Sequence, residues 1–293
     1  MTGAAGQGTL VFVHLPKAGG MTLQSIVGRQ YASRARFDIN GESPESVQQS
    51  VAFLRSLPPA RRDAIRCVRG HVPYGVGQWL RPPVKYLTML REPVARLVSD
   101  YNFAMSVPEH AVKRQLGSRI ISLDEFVDLR MEGGLANLYT RMLSGCINWD
   151  DFQASPVPSK DMLEAAKQNL NGFTGVGLTE RFDESLLLFQ QALGWSTCWY
   201  LHENVTKEQF VDRSCISADL MQRIRDCLAY DLELYAHAVS LFETRISQAG
   251  PDFPQAVAAF QKANAMRRGR LLIERKLRQM LRRAARLLHY RVI

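Results

Sequence analysis

Leu10-Val11-Phe12-Val13-His14-Leu15-Pro16-Lys17-Ala18-Gly19-Gly20-Met21-Thr22 runs from an apolar stretch through a loop with a lysine and paired glycines. A segment with helical spacing follows: Leu23, Ile26, Val27, Gln30 and Tyr31. That order predicts a strand, a tight loop and a helix. Adjacent glycines let the backbone turn with its N–H groups inward, and a helix starting there presents free N–H donors and the positive end of its dipole. A loop of this build suits a phosphate or a sulfate. Its lysine precedes the glycines, the reverse of the nucleotide loop G-x-x-x-x-G-K-S/T, which counts against an ordinary ATPase or GTPase. Taken alone, the same residues also fit a plain strand-to-helix turn with an exposed lysine.

A second constellation changes the balance. Val84-Lys85-Tyr86-Leu87-Thr88-Met89-Leu90 reads as a buried parallel strand ending at Arg91. Glu92-Pro93 then opens a helix with Val94, Leu97, Val98, Tyr101 and Met105 on its apolar face. Arg96, Ser99 and Asn102 fall on the other side at three-residue steps, so the Ser99 hydroxyl is expected near the strand end where Arg91 projects. Arginine plus hydroxyl makes a second anion site; alternatively Arg91 pairs with Glu92 or Glu109 at the surface. Between the two, Ile65-Arg66-Cys67-Val68-Arg69-Gly70-His71 reads as a short strand ending at a histidine, the side chain best suited to take a proton near neutral pH. In open α/β sheets ligands gather at the carboxyl ends of strands, where Lys17, His71 and Arg91 all fall in this reading.

The remaining chain continues the alternation. Ser43-Pro44 caps a helix through Val47, Val51 and Leu54, and Ser122-Leu123-Asp124-Glu125 is a capping box. A helix from Asp161 to Leu170 leads into a strand from Phe173 to Leu178, and two helices span about 217–248. The fold class is therefore α/β with a central parallel sheet flanked by helices. Thr179-Glu180-Arg181, just past a strand, either lines the pocket or simply starts a helix. Polar segments 106–120 and 144–159 are expected as acceptor-side loops, with Lys113, Arg114 and Arg119 either facing an acidic sugar or solvated.

Three runs, Phe12 to Leu23, Gly70-His71-Val72-Pro73-Tyr74-Gly75, and Leu90 to Tyr101, together resemble the sulfotransferase family 2 domain, which includes heparan sulfate 2-O- and 6-O-sulfotransferases and bacterial relatives. Asn137-Leu138-Tyr139-Thr140-Arg141-Met142-Leu143, Val176 to Ser185 and Asn204-Val205-Thr206 extend the similarity over about residues 9–248. The resemblance implies a three-layer, P-loop-like fold and a donor, 3′-phosphoadenosine-5′-phosphosulfate (PAPS). Carried over, Lys17, Ala18, Gly19, Gly20, Met21 and Thr22 bind the 5′-phosphosulfate, while Arg91 and Ser99 bind the 3′-phosphate. Thr179 joins the pocket, Lys17 and His71 are catalytic, and no metal is required. The family loop is Pro-Lys-Thr-Gly-Gly-Thr-S/T, so Ala18 and Met21 replace hydroxyl residues here. The 2-O-sulfotransferases carry His-Gly-His where this chain has Arg69-Gly70-His71, which leaves the role of Arg69 open.

The chain has 293 residues and five scattered cysteines without metal spacing, which read as free thiols in a reducing compartment. No basic, apolar leader opens the sequence and no apolar run is long enough to span a bilayer, so a cytoplasmic enzyme is expected. Animal relatives in the resembling family are anchored Golgi enzymes, so a bacterial source is expected as well. Residues 266–293 hold ten Arg or Lys against Glu274 alone, which equals the chain's whole net charge of +9. With Leu271, Leu272, Leu277, Leu281 and Leu288 near helical spacing, this tail is expected as a C-terminal basic amphipathic helix. Gly250-Pro251-Asp252-Phe253-Pro254 reads as a hinge dividing a 1–249 catalytic domain from a 250–293 tail. The tail suits the anionic inner face of a membrane, a packing or subunit interface, or a polyanion; nucleic acid is not an expected partner.

The leading function is sulfuryl transfer from PAPS to a hydroxyl, most readily one on a saccharide. Competing readings are a phosphate-loop nucleotide kinase and a non-catalytic protein that uses the basic tail on membranes or polyanions.

Overall fold

The computed structural model describes residues 8–39, 41, 43–107, 110–115, 119–132, 136–151, 156–196, 198–201, 210–267, 269 and 272–273. In chain order the elements are β1 (Thr9–Val13), α1 (Gly20–Gln30), β2 (Arg36–Ile39), α2 (Pro44–Ser56), α3 (Pro59–Asp63), β3 (Cys67–Gly70) and β4 (Val84–Leu90). Then come α4 (Pro93–Ser106), α5 (Ala111–Gln115), α6 (Leu123–Glu132), α7 (Leu138–Leu143), α8 (Lys160–Asn171), β5 (Gly175–Leu178), α9 (Phe182–Leu193), α10 (Ala218–Cys227) and α11 (Ala229–Gln248).

All five strands are parallel, in the order β2-β3-β1-β4-β5. β1 is buried along its whole length and packs on both faces. Leu10 and Phe12 join Leu23 and Ile26 of α1 and Phe189 of α9, whereas Val11 and Val13 join Val51 of α2, Leu163 of α8 and Phe242 of α11. A strand that is apolar at every position from Leu10 to Val13 satisfies both sides of a three-layer α/β core. The expected fold class is therefore the observed one.

Two elements depart from the sequence pattern. The edge strand β2 is not announced by Arg36-Phe37-Asp38-Ile39; it forms by pairing with β3 and is fastened by Arg69, whose Nε and Nη2 donate to Asp38 at 2.5 and 3.1 Å. The expected hinge after residue 249 leads into a helix over 253–267. Phe253 and Phe260, 3% and 6% exposed, join the clusters on the two faces of the sheet, so this helix shares the core of the preceding residues. Most of the basic tail, 266–293, lies outside the described residues, as does Asn204-Val205-Thr206.

A buried carboxylate fixes α7. Asp231 of α11 is fully buried and accepts from the N–H groups of Tyr139 and Thr140 at 3.1 and 2.8 Å and from the Thr140 hydroxyl at 3.0 Å. Asn137 closes the arrangement, its Oδ1 accepting from Asp231 N at 3.0 Å and its Nδ2 donating to Cys227 O at 3.0 Å. Asp231→Ala strands three buried donors and is expected to cost on the order of 3 kcal/mol in urea unfolding. A loss well under about 1 kcal/mol would remove Asp231 from this structural role.

Candidate functional site

β1 lies between β3 and β4, so its following loop is flanked by the ends of both neighbours. Parallel strands bring all their carboxyl ends to one edge, and the residues emerging there are His14 to Lys17, His71, Arg91 and Thr179. Four of the residues singled out from the sequence thus converge, although up to some 160 positions separate them.

The loop is shaped by two left-handed residues, Lys17 at φ 62° and Gly19 at φ 69°. Gly19 is also the N-cap of α1 and has no side chain with which to cap it. A Cβ on Gly20 would stand 1.8 Å from His14 Cδ2, so only glycine permits this approach of loop to ring. A Cβ on Gly19 would lie 3.2 Å from Phe182 and 3.6 Å from Thr179 Cγ2, which places the end of β5 against the loop. Ala18 and Thr22 are buried, so the loop offers them to a ligand chiefly through backbone; Met21 is exposed.

Arg91 Nη1 donates to the Lys17 carbonyl at 3.4 Å. Its backbone is held on both sides by the Tyr139 hydroxyl, which accepts from Arg91 N and donates to Arg91 O, each at 3.2 Å. The Lys17 ammonium sits 3.8 Å from the centroid of the Phe103 ring on α4. Burial pushes the Lys17 pKa down, Asp100 opposes that fall, and the Arg91 charge adds to it. Asp100 is itself ion-paired with Arg130 at 2.8 Å. Among the described residues no carboxylate forms an ion pair with Lys17 or Arg91. Among the described residues a half-buried lysine and a half-buried arginine thus meet at one strand edge without a direct ion-pair partner, which favours an anionic ligand. Ser99 lies one turn before Phe103 on α4.

Two histidines meet where β1 and β3 end. His71 Nδ1 lies 2.8 Å from the His14 carbonyl. A carbonyl can only accept, so Nδ1 carries the proton and Nε2 keeps its lone pair. The rings stack with centroids 4.2 Å apart. Burial lowers the pKa of both rings, and for His14 the His71 and Lys17 charges lower it further. His71 is therefore neutral at pH 7, whereas His14 is 5% exposed and shielded beneath it.

Several sequence expectations are corrected here. Arg69, whose role the sequence left open, belongs to the frame: besides Asp38, its Nη1 donates to Gln24 O at 2.6 Å. Arg96 and Asn102, expected on the side of α4 away from its apolar face, are buried, because α4 is enclosed on most sides. Arg96 is 2% exposed with its guanidinium 5.3 Å from the Tyr139 ring centroid, and Asn102 bonds the backbone of Phe210 and Val211. Glu92 does not pair with Arg91; it caps α4 through Val94 N and Ala95 N and pairs with Arg213 at 2.7 Å. Thr179 is near the loop, but its hydroxyl is committed to Leu90 O at 2.9 Å, and Arg181 pairs with Glu184 and Glu243. Arg119 pairs with Glu125 at 2.9 Å, inside the expected capping box of Ser122. His14, Phe103, Tyr139 and Asp231 carry no assigned role in the sequence reading. Of these only His14 has a local signal, a histidine at the end of a buried strand.

The family model for galactose-3-O-sulfotransferase matches residues 5–287. The chain belongs to the galactose-3-O-sulfotransferase family. It is a PAPS-dependent sulfotransferase. It is similar to human heparan-sulfate 6-O-sulfotransferase 1, with 25% identity over 288 residues, covering 82% of this chain and 67% of that protein. Galactosylceramide sulfotransferase of Bos taurus is 25% identical over 272 residues, covering 87% of this chain and 62% of the relative. Galactose-3-O-sulfotransferase 3 of Bos taurus is 26% identical over 254 residues, covering 83% and 58%. The chain thus spans about two thirds or less of these relatives' length.

These relatives overturn the expected cytoplasmic placement. They are animal sulfotransferases, the group that the resemblance itself assigns to the Golgi, and they give no support to a bacterial source. Unpaired cysteines, as found at all five positions, do not identify a compartment. Among the described residues no helix is long and apolar enough to cross a membrane.

Proposed function

We propose that the loop from Lys17 to Thr22 holds the phosphosulfate of PAPS, that Arg91 and Ser99 hold its 3′-phosphate, and that His71 deprotonates a hydroxyl of a saccharide or glycolipid acceptor. The observation that carries this reading is the meeting of Arg91 with Lys17 at 3.4 Å, on the strand edge where His71 keeps Nε2 available. The residues fit such a donor: among the described residues neither Lys17 nor Arg91 forms a direct ion pair, and the N-terminus of α1 has no side-chain cap.

When bound, the donor supplies an activated sulfuryl group on a phosphate leaving group. Transfer of this kind is governed by positioning and by neutralising charge on the departing oxygen. Lys17 supplies an ammonium there, supported by the α1 N–H groups and its dipole. Arg91, fixed by Tyr139, sets the register of the nucleotide. His71 accepts the acceptor proton at Nε2 while Nδ1 stays bonded to the His14 carbonyl. The acceptor class comes from the relatives' names: heparan sulfate, galactosylceramide and galactose.

The test is transfer of label from ³⁵S-PAPS to desulfated heparan chains, galactosylceramide and β-galactosides, with thermal shifts against 3′,5′-adenosine bisphosphate, ATP and heparin run alongside. Labelling of at least one acceptor and a shift with the bisphosphate are expected. No labelling together with a shift only for ATP or only for heparin would overturn the reading.

A further inference from the structure

We propose that the His14 side chain is a positioning residue, a flat spacer that sets both the orientation of the His71 ring and its separation from the Gly19-Gly20 loop. Three contacts meet on that one ring. One face stacks on His71 at 4.2 Å, the ring lies nearly parallel to Phe12 at 5.6 Å and 14°, and its edge occupies the space a Cβ on residue 20 would need. The remaining side of His71 is closed by Gly41, where a Cβ would lie 2.4 Å from His71 Cδ2. The base is thus clamped between a ring and a bare backbone, with its Nδ1 on the carbonyl of the residue that supplies the ring.

The arrangement couples two halves of the site through one side chain. β1 delivers His14, β3 delivers His71, and α1 begins at Gly20, so the His14 ring, face to His71 and edge to Gly20, sets the spacing between the base and the anion loop. A stacked plane also resists rotation about the His71 Cβ–Cγ bond, which would otherwise exchange Nδ1 for solvent and give the ring its more common Nε2–H form. The neighbouring charged group is Lys17, whose ammonium disfavours a second cation at His14. A neutral, planar occupant therefore serves this position. Phenylalanine meets that description and leucine fills the volume without it.

The inference rests on His71 as the base, but its test reads the ring and not turnover alone. Side-chain ¹H–¹⁵N correlation spectra of the full chain labelled with [¹⁵N]histidine are compared for wild type, His14→Phe and His14→Leu. Wild type and His14→Phe are expected to show His71 as the Nδ1–H tautomer; His14→Leu is expected to show mixed tautomers. In the transfer assay His14→Leu should lose on the order of 100-fold in kcat/KM, the scale of a small misplacement, and His14→Phe should stay within about threefold. An Nε2–H tautomer in wild type, or identical spectra for the two variants, would overturn the proposal. Should His14→Leu fail to fold, loss of the Nδ1–H form in His14→Phe would overturn it and retention would support it. An active His71→Ala enzyme would discard the base assignment and leave these spectra unaffected, so the two failures are distinguishable.

Discussion

Lys17→Ala lowers kcat on the order of 100- to 1,000-fold, equivalent to about 3–4 kcal/mol of transition-state stabilisation. The loss is electrostatic in origin. The ammonium is half-buried, feels the Arg91 charge and lies over the Phe103 ring. A charge so placed acts in a medium that screens it weakly, and it needs no reorganisation when negative charge grows on the leaving oxygen. Alanine retains a Cβ at φ 62°, so the loop keeps its backbone requirement and the experiment removes the charge without relaxing the turn. Lys17→Arg preserves charge but brings a planar fork to a site shaped for a compact ammonium, and partial activity is expected. Steady-state kinetics on the acceptor found by ³⁵S transfer measures both. An alanine variant within about fivefold of wild type would remove Lys17 from catalysis.

His71→Ala lowers kcat by roughly 100- to 10,000-fold, the range of a positioned general base, and leaves affinity for 3′,5′-adenosine bisphosphate near wild type. The pH profile gives the sign. Burial holds the His71 pKa below its ordinary value of 6.5, so the neutral base dominates at pH 7 and above. Activity falls as pH drops through that lowered pKa, and His71→Ala lacks this acid limb. Stability follows the same direction. A histidine whose folded pKa is depressed takes up its proton first in the unfolded chain, so its contribution is whole above pH 6.5 and is lost as pH falls toward the folded value. An unchanged acid limb in His71→Ala would assign the titration to another group.

How far the sequence carries is clearest residue by residue. β1, the glycine loop, β4 and the helix after Pro93 are readable because each is a local pattern, apolar run or cap, whose burial follows from its own composition. Lys17, His71 and Arg91 are readable for a related reason: each follows a strand, and parallel topology sends strand ends to one edge. What local pattern cannot show is a partner distant in sequence. Asp231 acts on residues some 92 positions away, and β2 is a strand because Arg69 and β3 pair with it. Arg69 looks like a site residue beside Gly70-His71, yet strand alternation sends its side chain toward α1 and Asp38. Arg96 and Asn102 look solvent-facing by spacing on α4, but a helix packed on several sides has no outer face for them. Gly250-Pro251 marks a turn correctly and says nothing about whether the next helix leaves the domain; Phe253 and Phe260 decide that by being buried.

The proposed transfer requires a single donor held jointly by the Lys17 loop and Arg91. Calorimetric titration of 3′,5′-adenosine bisphosphate into wild type, Arg91→Ala and His71→Ala tests this directly. Arg91 offers a charged hydrogen bond to the phosphate, so Arg91→Ala should weaken binding on the order of 10- to 100-fold, while His71→Ala should bind like wild type. Wild-type protein that fails to bind the bisphosphate, or an Arg91→Ala variant that binds it unchanged, would contradict the account.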